Sequence, residues 1–211
     1  IIALAEIRPG LWKKVAEQYK IPNTYHSHKE LLEECSDIDG IVAITKRTMT
    51  GPVAIDILKT GIPLLTEKPM ASTYKQAKKL VEMANNNNVK YSIGYNKRYD
   101  EGVQKGKELL DNLLKTKELG NIIYIRVHRY SGTGYCNPVG DIKTDEPYPE
   151  SEEWASGPEW LPDSMKLRYH SYLNTFCHNI NLIRYFIGIT PNIEYVDLPE
   201  NKGQIVVLNC G

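Results

Sequence analysis

The sequence predicts an α/β region built on an incomplete parallel sheet, followed by an α+β region with a partial antiparallel sheet. Three observations carry this. Over residues 1–94, short apolar β-rich runs alternate with helix-length segments, the order of a parallel sheet with crossover connections. One run, Gly61 to Thr66, breaks at once into Glu67, Lys68 and Pro69, a charged pair and a helix-incompatible ring at the carboxyl end of a strand. Beyond Gly94 the periodicity changes to longer helices and alternating strands, which suit an antiparallel sheet. The boundary is expected at residues 96 and 97, giving regions 1–96 and 97–211.

The first region reads element by element. Ile1 to Glu6 is a buried-type strand ending in an acid, followed by Pro9-Gly10 and an amphipathic helix, Leu11 to Tyr19. Ser27-x-x-Glu30 is a capping box that opens a helix over Lys29 to Cys35. Asp39-Gly40 leads into a strand, Ile41 to Ile44, which Thr45 ends. A helix over Val53 to Thr60, the Gly61 to Thr66 strand, a helix over Thr73 to Asn85 and a strand over Val89 to Gly94 complete the series.

This alternation is that of a Rossmann-type domain without its first strand. Such a domain places a glycine-rich turn about 20 residues before an acid that holds the ribose hydroxyls. Glu6 stands where that acid belongs, and the turn is expected upstream of Ile1. A solvent-facing strand-end carboxylate is the plain alternative for Glu6; within this topology the ribose role is favoured. An acid there repels a 2′-phosphate, so NAD is the expected cofactor, while Arg8 two residues on leaves NADP open.

In the second region, Tyr95 to Asp100 carries Asn96, Lys97 and Arg98 at a strand end, suited to a ligand or to a hinge. A helix over Glu101 to Lys117 has an apolar stripe of leucines and stops at Gly120. Asn121 to Tyr130 alternates, with Tyr124, Arg126, His128 and Tyr130 on one face. Residues 131–168 are rich in Gly and Pro, and Trp154 and Trp160 argue that this connection packs on something. A helix over Ser171 to Ile187 follows, ended by Gly188. Its only formal charge is Arg184, so it is expected to be buried, with Asn174, His178, Asn181 and Tyr185 as a polar row needing partners. Asn192 to Leu198 and Gln204 to Asn209 form a hairpin about Glu200 to Gly203.

Composition narrows the function classes. Lys+Arg and Asp+Glu are equal at 26 each, so the net charge is zero and no basic excess argues for nucleic acid or an anionic membrane. Cys35, Cys136, Cys177 and Cys210 are scattered and form no C-x-x-C pair, against a zinc site or disulfide framework and in favour of reduced thiols in the cytosol. No metal is expected. No apolar stretch has the length of a membrane span, and no signal peptide is visible. The apolar strands at both ends look like cuts through a larger protein.

Gly61-x-x-x-x-x-Glu67-Lys68-Pro69 between two helices resembles the Glu-Lys-Pro signature of the glucose-fructose oxidoreductase / inositol dehydrogenase / rhizopine-catabolism (Gfo/Idh/MocA) family of nicotinamide-dependent dehydrogenases. Asn174-Thr-Phe-Cys-His178, with the apolar run to Gly188, is similar to that family's Asp-x-x-x-His helix. Asn174 replaces the usual Asp; it hydrogen-bonds but takes up no proton. The resemblance implies a dinucleotide-binding domain over 1–96 and a substrate and dimerisation domain over 97–211. It implies that Lys68 donates to the substrate oxygen and contacts the nicotinamide ribose, that His178 is the principal acid/base, and that Asn174 positions the substrate. By the same resemblance Glu67 orients Lys68, Thr45 lies on the cofactor side, and Asn96 falls in the segment after the last Rossmann strand, near the substrate. Lys46-Arg47 replaces the family's Pro-Asn, and Thr50 falls where His is common.

The implied reaction is hydride transfer between NAD, or NADP, and a sugar, cyclitol or similar polyol, in a homo-oligomer joined through the second sheet. A catalytically silent, dinucleotide-binding sensor or scaffold is the alternative that Asn174 keeps open.

Overall fold

The computed structural model describes residues 1–127, 141–188, 192–197 and 205–209. Its contacts divide the chain into one unit of residues 1–94 with 131–174, and another of 95–130 with 175–211.

In the first unit, β1 (Ala3–Ala5) is followed by α1 (Pro9–Tyr19), which Pro9 opens from the first helical position, where its missing N–H costs nothing. β2 (Asn23–Tyr25) pairs parallel with β1, Ala3 opposite Asn23. It was not anticipated, since three residues of mixed polarity show no periodicity. Ser27 caps α2 (His28–Glu34) by accepting from the Glu30 N–H at 3.1 Å. The Glu30 carboxylate returns to the His26 N–H at 2.7 Å, one residue short of the reciprocal bond of a capping box.

β3 (Ile41–Ala43), β4 (Leu64–Thr66) and β5 (Tyr91–Ile93) form a second parallel sheet in that order, with α3 (Arg47–Lys59) and α4 (Tyr74–Asn86) as crossovers. The sheet orders β1-β2 and β3-β4-β5 are those of the two wings of a doubly wound sheet. Ala54, Ile57 and Leu58 of α3, Leu64 of β4 and Leu80 of α4 make the core. Thr73 and Gln76 complete a true capping box on α4, an arrangement in which the cap alone contributes about 1 kcal/mol.

α3 begins six residues before the expected Val53. Gly51-Pro52 reads as a breaker in sequence, because Pro52 has no N–H to give the Thr48 carbonyl four residues back. The backbone N–H of Trp154 supplies that bond at 2.8 Å. A Cβ on Gly51 would lie 2.1 Å from the Trp154 ring, so the glycine is the notch that admits the indole. Tertiary packing thus rescues a helical turn that local propensity argues against.

The stretch 141–156 packs on the first unit along its strand ends, as the tryptophans suggested, although only Trp154 takes part; Trp160 is 78% exposed. The next helix along this stretch is α6 (Asp163–Thr175), since α5 (Glu101–Thr116) belongs to the other unit. It starts at Asp163, directly after Pro162, with Asp163 paired to Lys166 at 2.6 Å. Tyr169 of α6 donates to the Ser72 carbonyl at 2.5 Å.

The expected single helix Ser171 to Ile187 is therefore two, α6 (Asp163–Thr175) and α7 (Cys177–Ile187), broken at Phe176. The run Asn174-Thr-Phe-Cys-His-Asn consists of weak helix formers, which explains the break. Nor is it a buried helix: His178 alone is buried in α7, and no residue is in α6. The missing charged face reflects a half-exposed helix of uncharged polar residues.

The second unit contains a 3-10 turn (Asn96–Tyr99), α5 (Glu101–Thr116) capped by the Asp100 carboxylate, α7, and an antiparallel ribbon of β6 (Asn192–Asp197) and β7 (Ile205–Asn209). Residues 121–127 of the expected Asn121–Tyr130 strand pair with no strand among the described residues, and Ile123 is 97% exposed. Alternation alone does not make a strand when no edge receives it. His128 and Tyr130, residues 131–140 and the 200–203 turn lie outside the described residues. No helix among those described is long and apolar enough to cross a membrane.

Candidate functional site

Thr66 is fully buried and its hydroxyl meets the Tyr91 hydroxyl at 3.0 Å, so β4 is fixed up to its last residue. Glu67 extends the ladder by one bond, its N–H to the Ala43 carbonyl at 3.3 Å. Lys68 then leaves the sheet through a cis Lys68–Pro69 peptide. Its ammonium donates to both the backbone carbonyl and the side-chain Oδ1 of Asn174, each at 3.0 Å. Glu67 does not engage that ammonium: its Oε2 accepts the Lys68 backbone N–H at 3.0 Å. Glu67 thus contacts the main chain of Lys68, and Asn174 holds the side chain.

At the neighbouring strand end, the hydroxyls of Thr45 and buried Thr50 lie 2.9 Å apart. Thr45, Arg47, Thr50, Glu67, Lys68, Pro69 and Asn174 line a hollow of about 200 Å³. Lys68 and Asn174, 106 residues apart, are thus brought together with Thr45 inside the first unit. A hollow of about 360 Å³ beside Ala84, Asn85 and Lys90 holds no such combination of groups.

The end of β1 has a different composition. Glu6 Oε1 accepts from the Arg8 backbone N–H at 3.1 Å and from Arg8 Nε at 2.8 Å, and Oε2 accepts from Nη2 at 3.3 Å. That bond to Glu6 pushes the guanidinium pKa up against the effect of burial, so Arg8 stays charged. Its guanidinium stacks 4.2 Å from the Tyr148 ring centre. Beside it the Gly10 N–H donates to both oxygens of Glu146, each at 2.9 Å, and Thr144 donates to Glu146 at 3.0 Å. The Gly10 bond, more than any other contact, holds the Glu146 carboxyl below its usual range.

In the second unit, Asn96 is exposed on the 3-10 turn. His178 is buried, 6.2 Å from Tyr95 in an edge-on ring contact. Burial pushes the Tyr95 phenol up to about 12, so it stays protonated across the neutral range. Asn181 accepts from Arg98 Nε at 2.6 Å, and the Arg98 guanidinium lies 5.2 Å from the Tyr185 ring centre. Two members of the polar row thus find a partner in Arg98.

Sequence reasoning missed Glu146, Tyr148 and Glu153, which reach the strand ends from 141–156. Glu153 meets Lys46 and Thr48, both at 2.6 Å. The one available signal was the gathering of acids between Asp141 and Glu153 opposite a basic Lys46-Arg47.

The donor set suits the two ends of a dinucleotide. Glu6 keeps acceptor capacity for a hydroxyl, while Lys68, Thr45 and Thr50 offer donors in the hollow.

Residues 1–95 match the Gfo/Idh/MocA model, described as an oxidoreductase family with an NAD-binding Rossmann fold. The rhizopine catabolism protein MocA of Rhizobium meliloti is 29% identical over 102 residues, 48% of this chain and 31% of the relative. Inositol 2-dehydrogenase of Salmonella typhimurium (strain LT2) is 22% identical over 148 residues, 69% of this chain and 41% of the relative. The chain thus spans less than half the length of these curated relatives. The crystal structure of apo scyllo-inositol dehydrogenase from Lactobacillus casei is similar in fold, with a TM-score of 0.62 at 15% identity over 92% of this chain and 48% of that one. Myo-inositol 2-dehydrogenase from Lactobacillus plantarum gives 0.59 at 16% identity over 88% and 48%. Over its first 95 residues, with Lys68 at the carboxyl end of β4, the chain is thus similar to the Gfo/Idh/MocA oxidoreductase family.

Proposed function

We propose that this chain is part of an NAD-dependent dehydrogenase that oxidises a carbinol carbon of a cyclitol, sugar or similar polyol in the cytosol. The observation that carries the reading is the Lys68 ammonium at the end of β4, held by Asn174 beside Thr45 and Thr50. Relatives named as inositol dehydrogenases supply the substrate class.

Two of the three donors of Lys68 are taken by Asn174, which leaves one for a substrate or ribose oxygen. Bound NAD would accept the hydride. Lys68 hydrogen-bonds the hydroxyl being oxidised and stabilises the developing oxyanion. Asn174 fixes Lys68 and is assigned the positioning of the substrate. His178 is assigned the proton of that hydroxyl, since an imidazole serves as a base near neutrality. Glu6 with Arg8 is assigned the adenosine ribose, Thr45 and the Glu67–Lys68 turn the nicotinamide ribose, and Asn96 a substrate hydroxyl. Residues 1–96 are assigned to dinucleotide binding and 97–211 to substrate binding and self-association, with Ile193, Tyr195 and Ile205 exposed on the β6–β7 ribbon as the surface for a second copy.

Assaying the full-length protein with NAD or NADP and a panel of inositols and sugars, following absorbance of the reduced cofactor, tests the reading. Turnover that disappears in both Lys68→Met and His178→Ala supports it. Binding of dinucleotide with no turnover of any polyol supports a silent relative, the reading that the uncharged Asn174 beside Lys68 favours.

A further inference from the structure

A Rossmann domain distinguishes its two cofactors at one place. The acid at the end of the second strand accepts from the ribose 2′-hydroxyl of NAD, and an Arg nearby accommodates the 2′-phosphate of NADP. A helix N-terminus just after the strand adds backbone N–H groups suited to a phosphate. In this chain that place is the β1–α1 turn, with Glu6, Arg8 and Gly10.

Both kinds of phosphate donor are taken there by carboxylates of the chain itself. Arg8 gives Nε and Nη2 to Glu6 and lays its face on Tyr148. The Gly10 N–H is shared between the two oxygens of Glu146, which comes from 136 residues further along the chain and is steadied by Thr144. The seat is fitted to that carboxylate: a Cβ on Gly10 would stand 2.8 Å from Glu146 Oε2. Glu6, Arg8 and Glu146 together carry one net negative charge. A ribose hydroxyl needs one acceptor and finds it in Glu6. A phosphate must displace a carboxylate from its donors and face the repulsion of both.

Resting on the cofactor reading above, we propose that Glu146 is a selectivity residue: it occupies the 2′-phosphate seat at the β1–α1 turn, so that the protein takes NAD and rejects NADP. The determinant comes from the 141–156 segment and not from the Rossmann strands that bind the rest of the cofactor.

Dissociation constants for NAD and NADP, measured by calorimetry on the full-length protein and on Glu146→Gln and Glu153→Gln, test this. Glu146→Gln keeps the shape of the side chain and removes its charge. The expected result is a wild type that prefers NAD and a Glu146→Gln variant that binds NADP roughly tenfold more tightly, with NAD affinity changed less than about threefold. Glu153→Gln removes another anchor of the same segment away from the seat, and is expected to leave the ratio of the two affinities unchanged. An unchanged ratio in Glu146→Gln overturns the assignment while the dehydrogenase reading stands. An equal gain in Glu153→Gln also overturns it, because general loosening of the segment would then be the cause. A wild type that binds neither dinucleotide removes the cofactor reading itself and this inference with it.

Discussion

The ends of β1 and of β3–β4 lie on the same kind of edge, the carboxyl side of parallel strands, and residues of 141–156 reach both. Their chemistry is opposite. At β1 the incoming Glu146 settles on a backbone N–H beside an Arg8 already claimed by Glu6, so the place is full of acceptors. At β3–β4 the incoming Glu153 is drawn aside to Lys46 and Thr48, and the hollow retains Lys68, Thr45 and Thr50 as donors. One segment with one kind of side chain thus finishes two sites with opposite sign. What matters is which donor each carboxylate finds: a main-chain amide at the first end, a lysine set back from the hollow at the second.

The strongest test of this contrast removes the donor that defines the second end. Lys68→Met is expected to lower kcat by roughly 10²–10⁴-fold while the dinucleotide dissociation constant moves less than about tenfold, read from steady-state kinetics and calorimetry. A loss of binding with unchanged kcat would make Lys68 a cofactor anchor only.

Detaching the shared segment comes next. Gly51→Ala places a methyl in the Trp154 ring, so it is expected to cost about 1–3 kcal/mol in denaturant unfolding and to raise hydrogen exchange at the Trp154 N–H. A variant as stable as wild type, with that amide still protected, would show that the indole is not seated in the notch.

Asn174→Asp sharpens the comparison by giving the second end an acid of its own. A carboxylate there bonds the Lys68 ammonium by charge as well as by hydrogen bond and, unlike the amide, takes up a proton, so the kcat profile is expected to gain a fall on the acid side that the wild type lacks. A profile with no new acid limb would show that the carboxylate does not share the work of Lys68.

The smallest effect is expected on acidification. Hydrogen bonds from Lys46 and Thr48 hold the Glu153 carboxyl below its usual range, as the Gly10 N–H does for Glu146. Each acid is depressed in the folded state, so its contribution is present above the unfolded value of about 4.3 and is lost as pH falls through the lower, folded value. The Trp154 backbone cross-peak in an NMR titration is therefore expected to hold its position at neutral pH and shift only in acid, and to lose most of that shift in Glu153→Gln, whose amide does not titrate.

Much of this was legible in the chain. Apolar runs bounded by Gly and Pro are short enough to exclude helices, so four of the five parallel strands and their crossovers follow from periodicity, and Glu67-Lys68-Pro69 announces itself at a strand end. β2 was not legible, because Asn23-Thr-Tyr25 is a strand only by virtue of lying beside β1. The first turn of α3 was hidden because Gly51-Pro52 is a breaker until Trp154 completes its hydrogen bonding.

The sequence by itself determined which residue types stand at the strand ends and that one of them is a lysine next to a proline. Folding decided which partners they meet. Glu67 took the Lys68 main chain, Asn174 took its ammonium, and Glu146 crossed 136 residues to reach Gly10. Local pattern is set by neighbours along the chain and survives in the one-dimensional record. Pairing between distant side chains depends on where a long, non-periodic segment comes to rest, which no period encodes.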